Sequence, residues 1–138
     1  MPPGDLDGYL VRSFGGGCPN AAGVRPVAGT VGAPRLGNAG FVATLRSARA
    51  SSTCAAFIDF GLNPLLLPGG YTLWLAGAPI ALGPPTGATG VADLPLPVPN
   101  DASLIGASRL AQWLVSDPSG QMLGSLTATG VTEIVIGR

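Results

Sequence analysis

The chain has 138 residues with seven acids against seven bases, a formal net charge of zero, and only 10% charged residues beside 46% hydrophobic ones. That length suits one domain with a real core, and so little charge removes much of the like-charge repulsion that keeps copies apart. All seven bases are arginine, no lysine, histidine or basic run occurs, and the apolar stretches break well short of about 20 residues, so neither nucleic-acid binding nor a membrane-spanning helix is expected.

Residues 1–8 read as a flexible tail ahead of a single domain over 9–138. Met1-Pro2-Pro3-Gly4-Asp5 has neither the basic start nor the apolar core of a secretory leader, so the sequence reads as a mature or trimmed form or as a gene fragment. Asp5-Leu6-Asp7-Gly8 offers calcium as the one cofactor expectation. An EF-type loop needs glycine at its sixth position and glutamate at its twelfth, where this chain has Leu10 and Gly16. A turn before a strand is the preferred reading, and no other cofactor is expected.

Residues 9–14 set Tyr9, Val11 and Ser13 against Leu10, Arg12 and Phe14, the period of a strand. Gly15-Gly16-Gly17 ends it; Pro19 and Asn20 follow instead of the helix and lysine that a phosphate loop requires. Further strands are expected at 24–31, 41–46 and 54–60, with a turn at Pro34-Arg35-Leu36-Gly37-Asn38 and a polar loop at 47–53. Asp59 is an acid in an apolar setting, read as outward or paired rather than catalytic. Residues 61–70 read as a linker, because Pro64 and Pro68 bracket Leu65-Leu66-Leu67 and forbid a helix. Residues 71–75 form the next strand, with Tyr71, Leu73 and Leu75 opposite Thr72 and Trp74. Residues 76–85 read as a turn and a short extended piece.

The most informative stretch is Leu94-Pro95-Leu96-Pro97-Val98-Pro99. Alternate side chains of a strand share a face and alternate amides share an edge. Leu94, Leu96 and Val98 therefore share one face, and the N–H groups missing at the three prolines are all missing from one edge. That describes a strand paired on one side and closed on the other. Asn100 or Asp101 then caps a short helical turn that Gly106 ends. Residues 108–116 place Ala111, Trp113 and Val115 on one face and Leu110, Gln112 and Leu114 on the other. Both faces are largely apolar, so this strand is expected to be central, with Gln112 hydrogen-bonded inside the sandwich or at a face. Asp117-Pro118-Ser119-Gly120 fits a type I turn, and strands at 121–128 and 131–136 complete the chain.

Short strands, Gly/Pro turns at close spacing and no long helical periodicity predict an all-β fold: a single antiparallel β-sandwich, immunoglobulin-like or jelly-roll-like, of about eight or nine strands. Cys18 and Cys54 lack a CxxC partner, and no histidine completes a zinc site. In an exported protein they would form a disulfide contributing about 3 kcal/mol; in a reducing compartment they would be two buried thiols. The disulfide is the favoured expectation.

Four pieces stand in a telling order: Gly16-Gly17-Cys18-Pro19, then Pro34-Arg35-Leu36-Gly37-Asn38, then Leu94-Pro95-Leu96-Pro97-Val98-Pro99-Asn100-Asp101, then Ala111-Gln112-Trp113-Leu114-Val115 with Asp117-Pro118. Together they resemble an uncharacterised β-sandwich module at the C-termini of large secreted proteins of planctomycete-type bacteria. The resemblance covers about residues 14–137. It implies export and a β-sandwich and brings no active residues. The chain departs from the pattern in carrying Cys54 where members place their second cysteine near the strand held here by 71–75, and in standing alone rather than trailing a larger protein.

Catalysis needs groups that move protons, attack or hold a metal. With no histidine, no lysine and only remote acids such as Asp59 and Asp93 to bring together, a non-enzymatic protein is expected. The expected function is an extracellular or cell-surface structural module that assembles with copies of itself into a filament, fibre or surface layer. One route is a strand supplied by a neighbour, from the first strand (Tyr9, Val11, Phe14) or the last (Val131, Ile134, Ile136). The alternative is a carbohydrate-binding or cell-surface-anchoring module in which Trp74, Trp113 and Tyr71 stack on a cell-surface glycan. Two coplanar exposed aromatics beside Asp, Asn or Arg would mark it.

Overall fold

Period-two apolar segments between glycine and proline turns become, among the described residues, eleven strands and one 3-10 turn. They are β1 (Leu10–Phe14), β2 (Val27–Val31), β3 (Val42–Arg46), β4 (Cys54–Asp59), β5 (Leu65–Leu67), β6 (Tyr71–Leu73), β7 (Ile80–Leu82), β8 (Ala92–Pro95), the turn Ala102–Leu104, β9 (Ser108–Ser116), β10 (Leu126–Ala128) and β11 (Val131–Val135). The structure, a computed structural model, describes residues 8–14, 17–59, 65–67, 71–75, 80–82, 85–122 and 124–138. The predicted tail over 1–8 and its calcium loop therefore lie, but for Gly8, outside the described residues.

The fold is an all-β antiparallel sandwich. One sheet runs β1-β11-β9-β4-β7, with β10 also paired to β9; a second runs β2-β3-β8; β5 and β6 form a separate hairpin. β4 occupies one edge of β9 from Leu110 to Val115. β11 and β10 share the other, at Ser108–Ala111 and Leu114–Ser116 respectively. The register slips by one residue between β10 and β11, a bulge at Thr129 and Gly130. There Thr129 accepts the Trp113 amide on its hydroxyl at 3.0 Å and donates its own N–H to the Trp113 carbonyl at 3.0 Å.

β9 is central, as its two apolar faces require. Trp113 and Val115 point inward and pack with Ala56 and Cys54 of β4 against Ala43 and Leu45 of β3 and Ala92 of β8. The opposite face of the same sheet is covered too. Leu110 packs there with Val131, Phe14, Phe57, Trp74 and Leu75, and Leu114 packs with Cys18, Met122, Leu126 and Ala128. Gln112 lies on this outer face, fully buried. Its Oε1 accepts the Trp74 N–H at 2.9 Å and its Nε2 donates to the Thr129 carbonyl at 3.0 Å. The one buried polar side chain of the central strand thus ties the segment after β6 to the outer face.

Three expectations change. Residues 65–67, read as linker, form β5 against β6, and the extended piece after 76 includes β7 against β4, so the strands among the described residues number eleven. Residues 121–128, read as one strand, hold a bridge at Met122, a turn and the short β10. The expected disulfide between Cys18 and Cys54 is not formed. Cys54 lies with Trp113 on the inner face and Cys18 with Leu114 on the outer face of the same sheet, so the sheet separates the two sulfurs.

Candidate functional site

The β8 edge and the β1 and β2 edges differ in how they are closed. Among the described residues β8 pairs only with β3. Beyond it, Leu96 donates its N–H to Phe41 at 2.9 Å and Val98 donates to Asn38 at 3.0 Å. Those amides face the sheet, which turns positions 95, 97 and 99 outward, and all three are proline. Over residues 95–99 the edge therefore offers no amide donors to a neighbouring strand, as the sequence predicted.

β1 and β2 end the two sheets on the same side of the sandwich and lie close together. A groove of about 300 Å³ runs between them, bordered by Ser13, Phe14, Val27 and Ala28. Neither strand contains proline or lysine, the usual edge protectors. Large apolar side chains are exposed here: Tyr9 at 43%, Leu10 at 44%, Val27 at 54% and Val31 at 53%. Arg25 also lines the groove, and two further arginines lie nearby. Arg12 pairs with Glu133 of β11 and lies 5.9 Å from the Phe14 ring centroid, while the Arg35 guanidinium lies 5.0 Å from that of Tyr9.

The sequence-predicted assembly residues fall into two groups. Tyr9, Val11 and Phe14 lie at or beside the open β1 edge, with Val11 and Phe14 half-buried. Val131 and Ile134 are buried in β11, which is paired on both sides by β1 and β9. β11 is thus an interior strand of its sheet, whereas β1 ends it; Ile136 beside β11 is half-buried and packs with Phe41, Val98 and Ile134.

The predicted stacking residues do not form a platform. Trp113 is fully buried in the inner core, which removes it as a ligand contact. Trp74 is half-buried against Leu75, Leu110 and Val131, and the Tyr71 side chain lies outside the described residues. Gln112 is a structural tie. Asp93 pairs with Arg46 at 3.0 Å on the exposed side of the smaller sheet, and Asp59 ends β4 in the larger one. Among the described residues no three of Cys, Asp and Glu converge as a metal site requires. No helix among them is long and apolar enough to cross a membrane.

A cleft of about 380 Å³ opens between the sheets beneath residues 95–99, lined by Phe41, Leu96, Val98, Ile134 and Ile136 with Arg109 as its cation. The environment of both thiols favours the protonated form. Burial pushes Cys18 up, only partly opposed by backbone hydrogen bonds and Arg25, and burial pushes Cys54 up as well. In comparisons with known proteins, no family model, no curated protein and no solved structure matches the chain.

Proposed function

We propose that this protein is a non-enzymatic structural module that associates with copies of itself, edge to edge through β1 and β2, at an extracellular or cell-surface location. The observation that carries the reading is the contrast between edges. The β8 edge is closed by three outward prolines, whereas the β1/β2 side is open, apolar and free of lysine. An unprotected apolar edge is a template for another strand, and a chain of zero net charge puts little repulsion in its way. Pairing of outer edges needs no exchange, since β1 keeps its five register partners on β11. A repeating contact of unlike surfaces would grow a filament, a self-complementary one would stop at a dimer. The extracellular placement rests on the resemblance to secreted modules, and buried thiols of raised pKa are compatible with an oxidising compartment.

The test is light scattering of the wild type and of a Val27→Lys/Val31→Lys variant across a concentration series. Two lysines on the open edge should weaken association at least about tenfold, the equivalent of 1.4 kcal/mol, while leaving the melting temperature close to that of the wild type. A wild type that stays monomeric at every concentration, or a variant that associates equally well, would defeat the proposal.

A further inference from the structure

A second cavity, of about 280 Å³, lies between the β3–β4 connection and the inner side of β10, with Asn20, Val24, Arg49, Asp117, Ser119 and Thr127 on its walls. Thr127 is 2% exposed, and its hydroxyl is buried with no hydrogen-bond partner among the described residues. An unmade hydrogen bond of this kind costs about 1–3 kcal/mol, and the strand gives no reason for it. Thr127 sits opposite Val115, beside which valine would pack equally well. Thr132 carries the other unpartnered hydroxyl, but it borders none of the three cavities described.

The remaining walls are mixed donors and acceptors. Asp117 is 4% exposed, and its Oδ1 accepts both the N–H and the O–H of Ser119 at 2.9 Å. A carboxylate has about four acceptor sites, so capacity remains. Asn20 uses its Oδ1 on the amides of Ala22 and Val24, so its NH₂ is the group it can offer. Arg49 spends one donor on the Ser52 hydroxyl at 2.9 Å out of a guanidinium that carries about five. Ser47, also on the wall, holds a φ of 57°, a conformation costing about 1–2 kcal/mol in a non-glycine residue.

We infer that this pocket binds a single sugar ring, a neutral polyhydroxylated ligand. Each sugar hydroxyl donates once and accepts up to twice, which matches a lining of carboxylate, amide, guanidinium and hydroxyl groups. Val24 supplies an apolar patch for the C–H face of the ring. The charges of Arg49 and Asp117 cancel, so a simple anion or cation meets as much repulsion as attraction. The volume suits one ring rather than a drug-sized molecule, whose sites run from about 300 to 1,000 Å³. The site uses no stacking aromatic and does not depend on association through β1 and β2.

The experiment is NMR titration of the labelled full chain with glucose, galactose, mannose and N-acetylglucosamine, and with glycine as a zwitterionic comparator. At least one sugar should shift the amides of Ala48, Ser119 and Thr127. Thr127→Val, which keeps the shape and removes the hydroxyl, should weaken that response about fivefold, the value of one hydrogen bond, while melting at or above the wild-type temperature. Arg49→Gln, on an exposed side chain, supplies a second variant with the same expected direction. Silence from every sugar overturns the inference, as does a response to glycine alone or binding indifferent to both variants. Detection of nothing but a long-lived water on Thr127 would make the cavity a hydration site and overturn it as well.

Discussion

Replacing Gln112 by leucine tests whether one buried amide holds the outer layer on the sandwich. Gln112 is fully buried and bonds two backbone groups, the Trp74 N–H at 2.9 Å and the Thr129 carbonyl at 3.0 Å. Gln112→Leu conserves most of the volume and deprives both groups of these bonds. Each buried group so deprived costs about 1–3 kcal/mol, and the extra apolar character of leucine returns about 1 kcal/mol. A net loss of about 2 kcal/mol is expected. With a urea m-value of about 1–3 kcal/mol per molar, the unfolding midpoint should fall by roughly 1 M. The Trp74 amide should exchange faster with solvent, because its segment loses its tie to β9 while Trp113, on the other face, keeps its packing. A loss below about 0.5 kcal/mol with unchanged exchange at Trp74 would refute the reasoning, since the outer layer would then be held by apolar contacts alone.

Three further outcomes follow from the same geometry. Pro97→Val restores an outward N–H on the closed edge and should raise the aggregation rate, read by turbidity; an unchanged rate would show that the prolines do not guard it. Cys18 and Cys54 should resist a thiol reagent in the native state and both react in urea, whereas no titratable thiol in urea would mean a disulfide. Because burial raises both thiols, their contribution to stability is whole below the ordinary thiol pKa of about 8.5 and declines as pH rises beyond it. Asp101 caps the 3-10 turn by accepting the Ser103 N–H and O–H, which holds its carboxyl below the usual range. Its contribution is present above about pH 3.9 and fades as pH falls through the lowered value, and carbon-detected NMR titration of the carboxyl should show the shift.

The parts of the fold legible in the sequence are those governed by local rules. The proline spacing at 95, 97 and 99 determines which edge is closed, whatever lies elsewhere. Apolar residues on both faces of 108–116 require a central strand. Asp101 before the turn, Gly106 at φ 83° after it, and the Asp117 to Gly120 turn with its 2.8 Å hydrogen bond stand where their chemistry puts them. What escaped depends on partners distant in the chain. Alternation shows that Trp113 and Trp74 each belong to a face, but not which face a second layer covers. Nothing near Cys18 reveals that it bridges to Ala128 on the side of the sheet opposite Cys54. Leu65-Leu66-Leu67 between prolines looks like linker because its pairing with β6 is its only strand signal. The polar pocket draws Asn20, Arg49, Asp117 and Thr127 from four separate segments, each of which reads locally as a turn, a loop or a strand.

The most direct measurement is amide hydrogen exchange, followed residue by residue as protein concentration rises. Association through the open side should add protection at β1 and β2, which form the unguarded edges, and leave the amides of β8 unchanged. Protection that stays constant with concentration, or that appears instead at the exposed Leu65 and Leu66 of β5, would contradict edge-to-edge association.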